Sequence, residues 1–203
     1  MGAEVWTEKE FSEEDFGDRD FSLAVMTRSR FAHCRFRGAV LSEIRLKDCH
    51  FDECDFSGAK MNAAEIVTSA FTNCSLVGTY LFLAQFEGCR LLGSNFADAD
   101  IGGITLVGGD WSWASLRHLN LAKQDLRKIK FAGTDFYGAD LTESDLRDCD
   151  LTEANLDAAK LTNANLRGSV LEKVDLKSLD LTGVKLDMAQ AMLLAHCYGA
   201  KVG

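Results

Sequence analysis

Large apolar residues stand at every fifth position of this chain, without a break from Trp6 to Leu186. These 37 positions hold only Phe, Leu, Met, Ile or Trp. On an α-helix a step of five residues turns the side chain by about 140° net, so these residues would not form a stripe. On a β-strand an odd step would place successive residues on opposite faces. The chain must therefore turn once per repeat, which predicts a solenoid.

The other positions of the five-residue unit are also regular. The residue before each large apolar residue is mostly Asp or Asn, the residue after it is often Ser, Thr or Arg, and the next is often Gly, Asp or Glu. The residue two places before it is small, as in the stretch 139–142. Two apolar positions therefore point inward and three polar positions point outward, with Gly and Asn suited to turns that need positive φ.

This unit resembles the repeat of the pentapeptide-repeat family over nearly the whole chain. The resemblance implies an all-β fold, a right-handed quadrilateral β-helix with four repeats in each coil and coils about 4.8 Å apart. Every twentieth residue supports four sides, because Phe concentrates in two adjacent columns that begin at Phe11 and Phe16. We expect the solenoid to occupy residues 1–186, and a short C-terminal capping and dimerisation helix with its tail to occupy residues 187–203.

Composition and charge narrow the class of protein. The 203 residues include no Pro, which suits a chain whose backbone N–H groups nearly all join a ladder, because Pro cannot donate. The formal net charge is −9, so DNA should repel the chain, whereas a basic groove that normally binds nucleic acid should attract it. We predict no direct nucleic-acid binding and no membrane span. From a start at Met1–Glu4 without a signal peptide we also predict a cytoplasmic protein.

The seven cysteines favour a structural role. Six of them occupy the small inward position that elsewhere holds Ala, Ser, Thr or Val: Cys34, Cys49, Cys54, Cys74, Cys89 and Cys149. A cysteine at such a position acts as a small buried apolar residue. No CxxC pair or His/Cys ligand set is present, so we predict no metal site, no cofactor and no catalytic residue. Nothing in the sequence argues for an enzyme.

The segment 101–113 departs from the unit through four glycines, of which Gly109 occupies an inward position. The spacing of the large residues is kept, so we expect a distortion rather than a loop. Large apolar residues stand at outward positions around it: Tyr80, Phe82, Leu83, Leu92 and Trp113. They form either an exposed patch for a partner or a cover over Gly102 and Gly103, which lie one coil later. We favour the cover.

The period changes after Leu186. Asp187 and Gln190 have the spacing of a capping box, and apolar residues then recur at helical spacing. A short helix here would cover the open end of the solenoid, because exposed coil edges aggregate. The helix carries more apolar residues than one face needs, so we predict that it also joins two copies of the chain. The predicted homodimer interface comprises Met188, Ala191, Met192, Leu193, Leu194 and Ala195.

Acidic residues concentrate at two places. Residues 1–20 and residues 131–160 each hold eight acidic side chains against two basic ones, a local net charge of −6. The second cluster would flank the centre of a dimer that is joined at its C-terminal ends. We select as the candidate partner-binding surface Asp135, Asp140, Glu143, Asp145, Asp148, Asp150 and Glu153. An ordinary solvated acidic surface is the alternative.

Within the family, the chain is most similar to the mycobacterial fluoroquinolone-resistance branch of the MfpA type. The similarity rests on an uninterrupted rod, the stretch Leu92–Ser94 before a glycine-rich coil, and a helix of Asp-x-x-Gln-Ala type at Asp187–Ala191. The Qnr branch carries loops between its coils, and the unbroken spacing predicts none here. The resemblance implies a DNA-mimicking dimer that binds DNA gyrase (GyrA/GyrB) and modulates it or protects it from quinolone-type poisons. The alternatives are a generic interaction scaffold with an unknown partner and a self-immunity factor against a gyrase-targeting toxin.

Overall fold

The computed structural model describes residues 4–201. Six three-residue strands form one parallel sheet: β1 (Val5–Thr7), β3 (Val25–Thr27), β5 (Arg45–Lys47), β7 (Glu65–Val67), β9 (Gln85–Glu87) and β10 (Thr105–Val107). Four strands form a second: β2 (Glu10–Ser12), β4 (Arg30–Ala32), β6 (His50–Asp52) and β8 (Ala70–Thr72). One helix follows, α1 (Met188–Cys197). The described residues do not include residues 1–3, where the sequence predicts no signal peptide. They also do not include residues 202–203, at the end of the predicted tail.

Neighbouring strands in each sheet are 20 residues apart in the chain. Val5 pairs with Val25 in the larger sheet, and all strand pairs are parallel. Single bridges with the same 20-residue step occupy the other two sides of most coils, and on the side of the larger sheet they extend to the bridge between Asn165 and Lys185. One coil therefore contains four repeats. The predicted all-β, right-handed quadrilateral β-helix is confirmed.

Four faces run along this rod. The first face carries the six-stranded sheet that begins at β1, and the second face carries the four-stranded sheet that begins at β2. The third face follows the column of apolar residues that begins at Phe16, and the fourth follows the column that begins at Phe21. Because residues of one column are 20 apart, each position lies beside its equivalent on the next coil.

Large apolar residues and small inward residues fill the interior of the rod. Phe31 and Phe51 stack with ring centroids 4.7 Å apart and planes within 7°. Phe36 and Phe56 stack in the adjacent column at 4.7 Å and 3°. The aromatic columns therefore repeat at the spacing of about 4.8 Å that backbone hydrogen bonds impose on neighbouring strands. The six cysteines predicted to point inward are buried as free thiols.

Polar residues stabilise the turn at many of the repeats. The Asp or Asn before an apolar residue accepts a hydrogen bond from the backbone N–H two residues later, as Asp140 Oδ1 does from Thr142 at 3.0 Å. The corner that follows has positive φ at most repeats, and Trp113 with φ 61° is one example. Its ring lies over Gly133 of the next coil, where a Cβ atom would collide with it. These two positions together turn the chain once in every five residues.

The glycine-rich segment is accommodated without a loop. A Cβ atom at Gly109 would collide with the carbonyl oxygen of Cys89 on the preceding coil, so this inward position requires glycine. Phe82 and Leu83 lie over Gly102–Gly103, as the cover interpretation predicts. Both side chains nevertheless stay half exposed, so they also contribute apolar surface in the middle of the rod.

The two ends of the rod are protected from pairing with other chains in different ways. In the first coil the inward small positions hold exposed charged residues: Glu4, Lys9, Glu14 and Arg19. Charges at an exposed edge oppose strand pairing with another chain. At the other end α1 covers the last coil, and Gln190 Nε2 donates to the carbonyl oxygens of Leu166 and Ser169. The predicted helix and its capping box between Asp187 and Gln190 are confirmed.

Candidate functional site

The predicted acidic surface encircles the rod. Its seven residues span one full coil and lie on all four faces: Asp135 on the third, Asp140 and Glu143 on the fourth, Asp145 and Asp148 on the first, and Asp150 and Glu153 on the second. The fold therefore does not gather them on one side. It forms a ring of carboxylates near the C-terminal end, which a partner can meet from any direction around the rod.

Four residues of this ring hold the chain in its turns. Their Oδ1 atoms accept hydrogen bonds of 3.0–3.2 Å from the backbone N–H two residues later: Asp135 from Tyr137, Asp140 from Thr142, Asp145 from Arg147 and Asp150 from Thr152. Asn155 on the following repeat accepts the same bond from Asp157. Because an uncharged Asn serves equally, this position selects a hydrogen-bond acceptor rather than an acid.

Basic side chains pair with the same ring. The pairs are Asp135 with Arg117 at 2.8 Å, Asp140 with Lys160 at 3.7 Å, Asp145 with Arg147 at 2.7 Å, and Glu153 with Lys173. Arg117 and Lys173 lie outside the segment 131–160 but contact its acids from adjacent coils. The ring is therefore less negative than the sequence count over that segment suggests.

Hydrogen bonds keep two of these carboxylates ionised. The side chain and backbone of Thr142 hold the pKa of Asp140 below its ordinary value, and Lys160 acts in the same direction. The guanidinium of Arg147 lowers the pKa of Asp145. Both groups therefore carry their charge throughout the neutral and mildly acidic range.

Three residues of the ring project from the corners of the rod. Glu143, Asp148 and Glu153 have φ values of 58–60° and exposed side chains. Among them, within residues 4–201, only Glu153 has an ion-pair partner. Equivalent corners elsewhere hold lysines with the same backbone conformation, namely Lys123, Lys128 and Lys173. The corner position thus accepts either charge, and Glu143 and Asp148 are the part of the ring most available to a partner.

Sequence reasoning missed a column of arginines on the first face. Arg127, Arg147 and Arg167 occupy the same position on three successive coils, and each donates to the Asp or Asn side chain two residues earlier. The signal in the sequence was arginine at intervals of 20 residues. Positive side chains therefore offset the negative ones on the first face from Asp125 to Lys185, and the excess negative charge lies on the other faces.

Helix α1 has a buried side and an exposed side. The buried side faces the end of the solenoid core and comprises Gln190, Leu193, Leu194 and Cys197. The exposed side comprises Met188, Ala191 and Met192, with Ala195 half-buried at its border. Of the predicted interface residues, Leu193 and Leu194 thus contact their own chain. Met188 is 77% exposed and Met192 is 38% exposed, so these two dominate the free apolar side.

Chemical groups of other kinds of site are not assembled in the described part of the chain. Within residues 4–201, no group of three or more His, Cys, Asp or Glu side chains has the geometry of a metal site. Helix α1 lacks the length and apolarity needed to cross a membrane. Burial raises the pKa of Cys89 to about 11 and that of Cys149 to about 12, so both thiols stay protonated at neutral pH.

Comparisons with known proteins agree with this architecture. The family profile for the pentapeptide repeat region matches residues 24–84 and 79–156, and the profile for pentapeptide repeats (8 copies) matches residues 149–187. No curated protein sequence matches the chain at a significant level.

Solved structures resemble the chain over nearly its whole length. A trypsin-treated form of QnrB1, a plasmid-mediated fluoroquinolone resistance protein, has 26% identity and a TM-score of 0.70 over 98% of this chain and 100% of that one. A second trypsin-treated form has 26% identity and a TM-score of 0.67 over 100% of both chains. HetL, a pentapeptide repeat protein involved in heterocyst differentiation regulation from the cyanobacterium Nostoc, has 26% identity and a TM-score of 0.51 over 90% of this chain and 87% of that one.

Proposed function

Because the chain belongs to the pentapeptide-repeat family, we propose that it binds DNA gyrase as a DNA mimic and modulates the enzyme or protects it from quinolone-type poisons. The observation that carries this proposal is the similarity to QnrB1, a fluoroquinolone resistance protein, across 98% of the chain. The rod shape and the formal net charge of −9 support it, because a basic groove that accepts DNA attracts an acidic rod.

The spacing of charges along the rod determines how closely the rod can imitate duplex DNA. On the first face the ladder advances nine coils between residues 5 and 185, which makes a rod on the order of 43 Å at about 4.8 Å per coil. The 31 acidic residues then give about one carboxylate per 1.4 Å, close to the one charge per about 1.7 Å of duplex DNA. The net charge gives only about one per 5 Å. The rod therefore resembles DNA in the number of its anions, and its ion pairs with lysine and arginine weaken the resemblance.

A homodimer joined at the C-terminal ends belongs to this proposal. The exposed apolar side of α1, with Met188 and Met192, lies at that end, whereas charged residues occupy the inward positions of the first coil. Two rods end to end would span on the order of 90 Å, and the acidic ring of each copy would flank the centre. Length and central charge would then both resemble a duplex segment.

A gyrase assay tests the function directly. Purified protein at micromolar concentration is added to supercoiling and DNA-cleavage reactions with and without ciprofloxacin, using gyrases from several bacteria. We expect the protein to reduce drug-induced cleavage or to change the supercoiling rate of at least one enzyme. An unchanged rate and unchanged cleavage with every enzyme would contradict the proposal.

Two matched variants test whether the acidic ring makes the contact. The first combines Glu143→Lys, Asp148→Lys and Glu153→Lys at the exposed corners. The control combines Glu8→Lys, Glu13→Lys and Asp18→Lys, which occupy the same corner position in the first coil and change the charge equally. We expect the first set to weaken the gyrase effect at least about tenfold and the control to change it less than about twofold. Equal losses would show that net charge acts without a defined contact surface.

A further inference from the structure

Backbone hydrogen bonds between coils are interrupted in the middle of the rod. On the fourth face, Leu81 N–H donates to Asp100 O at 2.7 Å, and two coils later Leu121 N–H donates to Asp140 O at 2.8 Å. Ile101, the equivalent residue between them, donates to no backbone carbonyl of the described chain. The coils are thus bonded before and after this step, but not across it.

The interruption continues around the corner onto the first face. The six-stranded sheet ends at β10, and the next bridge on this face joins Asp125 to Asp145. No backbone hydrogen bond of the described residues joins the two coils across this gap. On the second face the bridge between Asp110 and Lys130 is intact. The two coils therefore stay together on one side of the rod and open into a cleft on the fourth and first faces.

A large inward residue accompanies the opening on the fourth face. Leu119 stands at the small inward position that Ala99 holds one coil earlier and Ala139 holds one coil later. A leucine is larger than the alanines of this column, and it favours separation of the coils on the fourth face. On the second face Ile129 occupies the same repeat position while the bridge between Asp110 and Lys130 stays intact, so the effect belongs to this column. Ala99 is 8% exposed, whereas Ala39 and Ala59 in the same column are fully buried.

The same relation occurs a second time in the chain. Leu179 stands above Ala159, which is 9% exposed, and within the described residues the fourth face lacks the bridge from Lys160 to the next coil. A leucine at this one position thus accompanies a break in the ladder in both coils where it occurs. The opening beside Leu179 is the smaller one, at about 260 Å³.

The middle cleft exposes bare backbone on both of its walls. N–H groups without an acceptor among residues 4–201 belong to Ile101, Gly103, Leu106 and Gly108 on one wall and to Asn120 and Asp125 on the other. Glycines at outward positions leave parts of the first wall without side chains, although Thr105 and Val107 also line its first-face part. The cleft measures about 590 Å³ on the fourth face and about 400 Å³ on the first, and Gln124 lines both parts.

We propose that the first-face part of this cleft is a docking groove for an extended peptide segment of a partner protein, which adds a strand to the free edge of β10. Unpaired N–H and C=O groups along an edge are a template for an added strand. Directly paired coils lie about 4.8 Å apart, and Leu106 and Leu126 on the two walls are 5% and 0% exposed. An added strand therefore enters as the two coils part further on the first face, and it then restores the hydrogen-bond ladder across the gap. This interaction is separate from the contact with gyrase proposed above.

The lining of the groove sets the chemistry of the segment. Side chains of an added strand point alternately into the rod and out to solvent. The inward side chain meets Leu106 and is therefore apolar. At the outer rim Arg127 already binds Asp125 at 2.6 Å, whereas Lys128 forms no ion pair within the described residues. The segment thus alternates apolar and polar residues and places a carboxylate beside Lys128.

Selection from a random peptide library tests the proposal and requires no identified partner. Phage-displayed random heptapeptides are selected on the full chain and counter-selected on the double variant Leu119→Ala with Gln124→Ala, in which small inward residues let the coils close. Leu179→Ala is the matched control, because it changes the same repeat position at the other opening. Hydrogen exchange of the Leu106 and Gly108 amides, fast in the parent and slowed in the double variant, verifies the closure.

We expect peptides with alternating apolar and acidic residues that bind the parent and the Leu179→Ala control equally and the closed variant at least tenfold more weakly. N-methylation of alternate backbone nitrogens of such a peptide, which removes its donors, should weaken binding at least tenfold. Lys128→Glu, a change at a corner that tolerates either charge, should weaken the acidic peptides similarly and leave the fold intact. The proposal is overturned if no peptide is enriched, if enriched peptides bind the closed variant equally, or if N-methylation has no effect.

Discussion

Some carboxylates at the turn position of this fold use their two oxygens for different purposes. Asp135 accepts a backbone hydrogen bond from Tyr137 with Oδ1, and Arg117 Nη1 donates to its Oδ2 at 2.8 Å. Asp140 divides its oxygens in the same way between Thr142 and Lys160. The first contact needs only an acceptor, whereas the second needs a charge. Substitution by Asn or by Ala therefore separates the two contributions.

Asp140 provides the test at this scale. Asp140→Ala removes the turn acceptor and leaves the Thr142 N–H without its partner, which we expect to lower the free energy of unfolding by about 1 kcal/mol. Asp140→Asn keeps the acceptor and loses only a surface ion pair, so its cost should be less than about half of that. Urea unfolding of the three proteins measures both values. Equal costs for Asn and Ala would show that the charge, and not the turn, is what stabilises the chain.

The same carboxylates make stability depend on pH in one direction. The pKa values of Asp140 and Asp145 in the folded chain lie below the ordinary value of 3.8, because hydrogen bonds from Thr142 and Arg147 favour the charged form. A group with a depressed folded pKa stabilises the protein above its unfolded pKa, and the contribution is lost as pH falls through the folded pKa. These residues therefore contribute to unfolding in acid below about pH 4, and not to any change at alkaline pH.

At the scale of elements, α1 is held by polar contacts as well as by apolar packing. Gln190 is buried, accepts a hydrogen bond from the Asp187 N–H at 3.0 Å and donates to the carbonyl oxygens of Leu166 and Ser169. These carbonyls belong to the last coil, whose C-terminal edge would otherwise face solvent or another chain. One side chain thus starts the helix and satisfies the edge of the solenoid.

Gln190→Leu should therefore loosen the whole element. The change keeps the side-chain size but leaves two carbonyl groups without a donor, which we expect to cost about 1–3 kcal/mol. Gln85→Leu is the matched control, because the same substitution at an exposed position of β9 should change stability by less than about 0.5 kcal/mol. Thermal unfolding and tryptic cleavage after Lys185 report the two effects. A Gln190→Leu protein as stable and as protease-resistant as the control would contradict this role.

Elements of this fold can be predicted from the sequence where a single local structural requirement determines the residue type. The five-residue period, the Phe columns and the pair Asp187 and Gln190 each meet that condition, and the structure confirms them. The cleft does not follow from a local requirement, because the effect of the volume of Leu119 depends on the spacing to the neighbouring coil. Within the five-residue unit alone, leucine is an acceptable apolar residue at this inward position. Only the twenty-residue column, in which alanine or threonine precedes it, marks Leu119 as too large.

At the scale of the whole molecule, the acidic ring shows why charge along a chain does not translate into a charged face. The predicted residues follow one another in sequence, and the solenoid carries sequence neighbours around all four faces. Several of their ion-pair partners, such as Arg117 for Asp135, stand on adjacent coils and are distant in sequence. The cluster's location near one end was predictable from the sequence. Its shape and its partial neutralisation follow from the 20-residue coil.

Dimerisation through α1 is the prediction that concerns the assembled molecule. Met188→Glu with Met192→Glu places two charges on the exposed apolar side of the helix without touching Leu193 or Leu194, which pack on their own core. The control Ala189→Glu with His196→Glu adds the same charges at exposed positions beside that side. A buried unpaired charge costs several kcal/mol, so the first variant should be a monomer at micromolar concentration and the control a dimer.

Light scattering coupled to size-exclusion chromatography gives the mass of each protein, and circular dichroism verifies that the helix is retained. In the gyrase assay the monomeric variant should lose most of its effect, because half of the proposed rod no longer spans the DNA-binding surface. A dimeric mass for the Met188→Glu, Met192→Glu protein would place the interface elsewhere on the rod. A monomeric mass for the parent chain would remove the dimer from the proposed function and leave a single rod of about half the length as the gyrase ligand.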